Sequence, residues 1–104
     1  MRKDSVQKSD QDQLTPEIVL NDLQLGNKRY TTGSTHQVDA HSLRTQTTGG
    51  QYPKAVVLSC IDSRVPVEFV FDQHVGDIFV ARVAGNFENN DILGSMEYAC
   101  AVAG

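Results

Sequence analysis

Hydrophobic positions divide the chain into a polar start, a helix-like segment, an irregular connection and a second half rich in β-branched residues. Residues 1 to 13 are polar and mixed in charge, which is typical of a disordered arm. Apolar side chains then recur at helical spacing over residues 15 to 30. Thr15 is a candidate N-cap, and Pro16 suits the first helical position. Gly26 is expected either to end this helix or to weaken it.

Residues 31 to 51 contain many Thr, Gly and His residues without any periodicity. We expect an extended connection that crosses a surface. Since free loops of this length are uncommon in compact domains, the segment is easier to accommodate if it packs on a partner subunit.

Residues 52 to 104 alternate between strand and helix patterns. The continuous apolar, β-branched run at 54–59 predicts a strand buried on both faces, and 77–83 predicts a second strand. A short helical stretch from Pro66 to Phe71 lies between them. This order predicts the α/β class, as the start of a parallel β-sheet flanked by helices with an N-terminal helical arm. Residues 14 to 104 then form one partial domain.

A final helix is expected to begin at a cap formed by Asn90 or Asp91. Its apolar side is predicted to carry Ile92, Leu93, Met96, Ala99, Cys100 and Val102.

Composition and charge exclude several function classes. The net charge of -4 and the pI near 5.1 argue against nucleic acid as a partner, because phosphate binding needs a basic surface. No apolar run has the length needed to cross a membrane. The polar N-terminus lacks the apolar core of a secretory signal, so a cytoplasmic location is expected. Two cysteines are too few for a disulfide scaffold.

Candidate chemistry is concentrated in Cys60-Ile61-Asp62-Ser63-Arg64, directly after the first predicted strand. Ligands of parallel α/β sheets bind beyond the carboxyl ends of strands, where the turn Ala84-Gly85-Asn86 is also expected. Arg64 beside Asp62 would keep that carboxylate ionised and oriented, and Cys60 suits a metal ligand. Asp62 is a second possible ligand.

Two other interpretations of this segment are possible. A phosphatase-type loop needs five residues between its Cys and its Arg, whereas three separate Cys60 from Arg64, and Pro66 lies where that Arg would fall. We therefore set it aside. A buried thiol with a structural Asp62–Arg64 ion pair explains the short pattern as well as a metal site does.

The segment from Cys60 to Arg64 resembles the Cys-x-Asp-Ser-Arg signature of the β-class carbonic anhydrases. The similarity continues, with compatible spacing, through residues 15–17, 26–30, 71–73, 76–86 and 94–99.

This resemblance implies a zinc-dependent reversible hydration of CO2 to bicarbonate. Cys60 would be a zinc ligand, and Asp62 with Arg64 would orient the attacking hydroxide. In a closed form of some members, the residue at the position of Asp62 becomes the fourth ligand. The resemblance also implies an apolar substrate pocket lined by Val83, Ala84 and Gly85, and assembly as a homodimer or a higher homo-oligomer.

The remaining zinc ligands of the family form a His-x-x-Cys arrangement, which does not occur in the 104 residues; the sequence ends at Gly104, before the position expected for it. We predict that no other residue replaces them. Cys100 is expected in the core, His74 in a solvated loop, and His36 and His41 in the connection without a paired ligand.

Three functional hypotheses follow. The first is a zinc-dependent carbonate dehydratase. The second is a catalytically incomplete fragment that acts only as an assembly or regulatory partner of a full-length copy. The third is a thiol-dependent role for Cys60, which only the charged residues next to it support.

Overall fold

A computed structural model describes residues 4 to 104. In chain order its elements are α1 (Lys8–Asp12), α2 (Pro16–Thr31), α3 (Ala40–Gln46), β1 (Ala55–Ser59), α4 (Val67–Val70), β2 (Ile78–Arg82), α5 (Asn90–Glu97) and a π-helical segment (Tyr98–Val102). The predicted α/β class is confirmed. No helix in this part of the chain combines the length and the apolar character needed to span a bilayer.

The sheet consists of β1 and β2 side by side, parallel, in a register that pairs Ala55 with Ile78 and Ser59 with Arg82. Both strands therefore end at the same edge, and the segments that follow them lie next to each other. The strand side chains are half-buried, apart from the exposed Arg82, so the expected burial on both faces is not reached. The reason is that each strand has only one strand neighbour in the described part of the chain.

Helix α2 begins as predicted, because the Thr15 side chain accepts a hydrogen bond from the Ile18 N–H and Pro16 occupies the first turn. The helix does not end or break at Gly26, and continues to Thr31. Gly26 is instead buried where α2 crosses α4, with the backbone carbonyl of Phe71 at the place where a side chain would start. Its missing Cβ thus permits a close approach between helix and backbone.

A polar cluster next to this crossing ties α2 to the segment after α4. The side chain of Asp72, 1% exposed, accepts hydrogen bonds from Arg29 Nε at 2.6 Å and from the His36 backbone N–H at 3.1 Å. His74 Nε2 lies 3.1 Å from its other oxygen. Burial by itself would raise the pKa of Asp72, but the hydrogen bonds from Arg29, His36 and His74 outweigh it and lower the pKa. We call Arg29, His36, Asp72 and His74 the Asp72 cluster.

The N-terminal arm differs from the predicted disorder. Within residues 4 to 13 the chain forms α1, and the buried Gln11 donates from Nε2 to the carbonyls of Pro53 and Ala103, both at 2.9 Å. These long-range contacts order a segment whose composition is that of a disordered one. Residues 1 to 3, which belong to the same prediction, lie outside the described residues.

The connection over residues 31 to 51 is also more regular than expected. It contains α3, whose N-cap Asp39 accepts from the Ser42 N–H at 3.1 Å. Leu43 on α3 is 1% exposed and anchors the segment to the body of the molecule. The Gln46 side chain also accepts a hydrogen bond from the Ser5 N–H at 2.9 Å, so tertiary contacts and the cap support this short helix rather than a long apolar face.

The final helix has Asn89 as its N-cap, one residue before the predicted candidates, and the Asn89 side chain accepts from the Ile92 N–H at 2.9 Å. Of the predicted apolar side, Ile92 and Ala99 are buried. Cys100 is exposed, and the expectation of a core thiol is wrong. Cys100 lies within the π-helical segment that continues this helix, in which Ala99 is the buried residue.

Candidate functional site

The thiol of Cys60 lies in the first position after β1, half-buried, beside the turn that follows β2. The Gly85 backbone N–H donates to Cys60 Sγ at 3.3 Å. Gly85 has φ +83°, a left-handed conformation that suits glycine. This hydrogen bond, with further ones from the Asp62 and Ile61 N–H groups, lowers the pKa of Cys60. The loop therefore favours the thiolate, the form that binds metal or acts as a nucleophile.

The carboxylate of Asp62 is held by Arg64 in a two-pronged ion pair. Arg64 Nε donates to Oδ1 at 3.0 Å and Nη2 donates to Oδ2 at 2.7 Å. The Arg64 backbone N–H adds a third bond to Oδ1 at 2.9 Å. The Arg64 side chain hydrogen bonds are the main cause that lowers the pKa of Asp62. Asp62 is thus an oriented, ionised hydrogen-bond acceptor.

Arg82 is a residue of this site that the sequence analysis did not single out. It is the last residue of β2, and its side chain reaches the loop after β1. Its Nε donates to the Cys60 carbonyl at 2.7 Å and its Nη2 to the Asp62 carbonyl at 2.8 Å. The available signal was its place at the end of the second predicted strand, at the edge where the loop was expected.

The three predicted pocket residues lie directly after β2. Val83 is half-buried, while Ala84 and Gly85 are exposed. Gly85 meets Cys60 through its N–H, so this turn and the candidate ligand share one edge of the sheet. The role of the three residues in a substrate pocket stays a prediction.

The described residues supply only part of a zinc donor set. Structural and catalytic zinc sites take at least three protein ligands, and residues 4 to 104 contain no group of three or more His, Cys, Asp or Glu side chains that would hold a metal ion. Cys60 is a suitable donor, whereas Asp62 is engaged by Arg64. His74 is not the solvated loop residue that we expected: its side chain is 17% exposed and belongs to the Asp72 cluster. The described residues therefore offer one suitable zinc ligand, Cys60, and not the three that a zinc site needs.

We expect Cys60 to be alkylated at lower pH than an ordinary thiol, whose pKa is about 8.5. The N–H groups of Gly85, Asp62 and Ile61 stabilise its charged form, so the thiolate persists as pH falls. Iodoacetamide labelling of metal-free protein across a pH series, with peptide mass spectrometry, measures this. The exposed Cys100 of the same chain is the internal reference, because it reports the reactivity of the reagent with an accessible thiol at each pH. A midpoint for Cys60 at or above that of an ordinary thiol would contradict the hydrogen-bonding pattern.

These features define an α/β protein with a candidate site at the carboxyl ends of two parallel strands, built from a thiol and a carboxylate–guanidinium pair. A family model described as carbonic anhydrase matches residues 55–104. Carbonic anhydrase 2 of Mycobacterium tuberculosis is 43% identical over 81 residues, covering 77% of this chain and 39% of that protein. The carbonic anhydrase of Mycolicibacterium smegmatis is 46% identical over 78 residues, covering 74% and 38%.

Among solved structures, the β-carbonic anhydrase CcaA is similar, with a TM-score of 0.57 and 29% identity over 84% of this chain and 42% of that one. The chain belongs to the β-carbonic anhydrase family. It spans about two fifths of the length of these two mycobacterial relatives.

Proposed function

We propose that this chain carries the thiolate and the orienting dyad of a zinc-dependent enzyme that reversibly hydrates CO2 to bicarbonate. The observation that supports this most is one loop, next to the Gly85 turn, which holds Cys60 as a favoured thiolate and Asp62 clamped by Arg64. A structural ion pair alone would not require a thiol that accepts a hydrogen bond from the Gly85 N–H beside it. Family membership supports CO2 as the substrate.

In this proposal Cys60 would hold the zinc, which when bound supplies a Lewis acid and lowers the pKa of water toward neutrality. Asp62 would accept a hydrogen bond from the attacking hydroxide and direct its lone pair toward CO2. Arg64 keeps Asp62 ionised and fixed, so that the carboxylate remains an acceptor. Val83, Ala84 and Gly85 would line the small apolar space for an uncharged substrate. An alternative state, in which Arg64 releases Asp62, would let Asp62 bind zinc directly.

The other zinc ligands would come from outside the described residues, on a continuing or a neighbouring chain. Homodimeric or higher assembly and a cytoplasmic location belong to this proposal as predictions.

We expect purified protein to retain zinc only if further ligands join Cys60, and any zinc retained to depend on Cys60. The test is elemental analysis after exhaustive dialysis of the wild type and of Cys60→Ser, with Cys100→Ser as the matched control. Zinc near one per chain in the wild type and in Cys100→Ser, but absent from Cys60→Ser, supports the proposal, and CO2 hydration should then be assayed. Equal zinc in Cys60→Ser would show that Cys60 is not a ligand.

The incomplete donor set favours a second candidate function, in which the chain is a non-catalytic assembly or regulatory partner of a full-length copy. Wild-type protein without zinc, which nonetheless co-elutes with a full-length relative in size-exclusion chromatography, would support this candidate over the enzyme. Fast alkylation of Cys60 that a chelator does not change would instead support a thiol-dependent role.

A further inference from the structure

Arg82, at the end of β2, donates hydrogen bonds from its guanidinium to two backbone carbonyls of the loop that follows β1. Among the described residues, no other side chain of β2 does this. The two hydrogen bonds of Arg82, at 2.7 Å to the Cys60 carbonyl and 2.8 Å to the Asp62 carbonyl, span the two residues that carry the site's chemistry. We propose that Arg82 is a positioning residue, which fixes the peptide groups of this loop so that the Cys60 thiol meets its N–H donors.

The geometry of the peptide bond gives the physical reason. In a trans peptide the C=O and the following N–H point in opposite directions. When Arg82 holds the Cys60 carbonyl on its own side, the Ile61 N–H of the same peptide is turned away from Arg82. That N–H is one of the backbone groups that lower the pKa of the Cys60 thiol. The second bond, to the Asp62 carbonyl, restrains the loop at its far end and leaves the Asp62 side chain to Arg64.

The register of the two strands places Arg82 within reach of both loop carbonyls. Arg82 is paired with Ser59, the last residue of β1, so its side chain starts level with the beginning of the loop. A guanidinium presents several N–H donors in a rigid plane and reaches two carbonyls at once, whereas a lysine ammonium acts as a compact point charge. Because Arg82 is exposed, we expect its bonds to contribute less to global stability than to the local conformation.

The proposal deepens the proposed function, since an ordered thiol matters most if Cys60 binds zinc, but its test requires neither zinc nor turnover. Amide hydrogen exchange is measured by NMR on the full, isotopically labelled, metal-free chain. The reporter is the Gly85 amide, whose acceptor is Cys60 Sγ. The local reference is the Val83 amide, which donates to the Ser59 carbonyl just before the loop, at 3.0 Å. Cys60→Ala, which removes the acceptor, defines the unprotected limit for Gly85.

In Arg82→Met, which keeps the aliphatic stem, we expect protection of the Gly85 amide to fall about tenfold toward that limit. The Val83 amide should keep its protection within about twofold. Arg44→Met, which removes an exposed guanidinium from α3, should change neither. Arg82→Lys retains the charge and keeps the test valid if Arg82→Met does not fold; we expect an intermediate loss at Gly85, because one ammonium replaces a two-pronged donor.

Two outcomes would overturn the proposal. Unchanged Gly85 protection in Arg82→Met, or in Arg82→Lys if that is the variant that folds, would mean that the loop holds its conformation without Arg82. A uniform loss of protection at Gly85, Val83 and the strand amides would mean that Arg82 only stabilises the fold. Absence of zinc or of CO2 hydration would refute the proposed function and leave this result standing.

Discussion

Replacing Gly26 with alanine is expected to destabilise the protein by about 1–3 kcal/mol, although alanine is the better helix former. A Cβ at this position would lie 1.8 Å from the Phe71 carbonyl oxygen and 2.8 Å from the carbonyl carbon. Both atoms belong to the backbone, so α2 and the end of α4 would have to move apart. That movement would also strain the neighbouring bond from Asn27 Nδ2 to the Val70 carbonyl, now 2.9 Å long.

The matched control is Gly94→Ala in α5, where no atom lies within 4 Å of the added Cβ apart from the helix backbone and chain neighbours. There the usual helix propensity should decide, and we expect a gain of up to about 1 kcal/mol. The free energy of unfolding from urea titration measures both variants. If Gly26→Ala were as stable as the wild type or more so, the close crossing of α2 over Phe71 would be wrong.

Asp72→Asn is expected to destabilise the protein by about 3–5 kcal/mol, because it removes the negative partner of Arg29 from a site where the carboxylate is almost fully buried. Asparagine is the informative substitution here. Residue 72 has φ +49°, a left-handed conformation that both Asp and Asn adopt more readily than most residues. The loss of stability then reports the charge and its hydrogen bonds rather than backbone strain.

The same variant should change the dependence of stability on pH. The hydrogen bonds from Arg29, His36 and His74 lower the pKa of Asp72 in the folded state relative to the unfolded state, despite its burial. A carboxyl group with a depressed folded pKa stabilises the protein fully above its unfolded pKa, about 3.9, and this contribution is lost as pH falls through the folded value. Asp72→Asn should therefore lose less stability than the wild type when the pH falls from about 5 toward 2.

Asp12→Asn is the control for this second prediction. Asp12 pairs with Lys8 one helical turn away in α1, and both side chains are more than half exposed. Exposed pairs of this kind contribute about 0.5 kcal/mol or less. Urea titrations at several pH values compare the two variants. Equal effects at positions 12 and 72 would show that the Asp72 cluster does not hold α2 to the rest of the fold.

Local features of the fold were predictable because they depend on residues close together in the chain. The start of α2 follows from Thr15 and Pro16, and both strands were predicted to within one residue at each end. The same holds for the pairing of Asp62 with Arg64, two residues apart. The signature around Cys60 indicated the family together with the other matching blocks along the chain, each of which is a contiguous set of residues.

Long-range contacts were not predictable, and several expectations changed because of them. Gln11 orders α1 through carbonyls 42 and 92 residues away. The prediction that Gly26 ends or weakens the helix rested on helix propensity. In the structure, the role of Gly26 is set by the backbone of Phe71, which lies against it. His74 was expected in solvent, yet its side chain contacts the carboxylate of Asp72. The same carboxylate accepts a hydrogen bond from Arg29 of α2.

The sequence alone thus determines the α/β class, the Thr15 cap of α2, and the thiol, carboxylate and guanidinium of the candidate site. The tertiary structure decides that Gly85 meets the thiol and that Arg82 holds the loop, contacts across 25, 22 and 20 residues of chain. The physical reason is the register of the two parallel strands, which brings the ends of β1 and β2 to one edge. That register pairs two segments that are far apart in the chain, with α5 and the π-helical segment packed against the strands, and no spacing within a single segment encodes it.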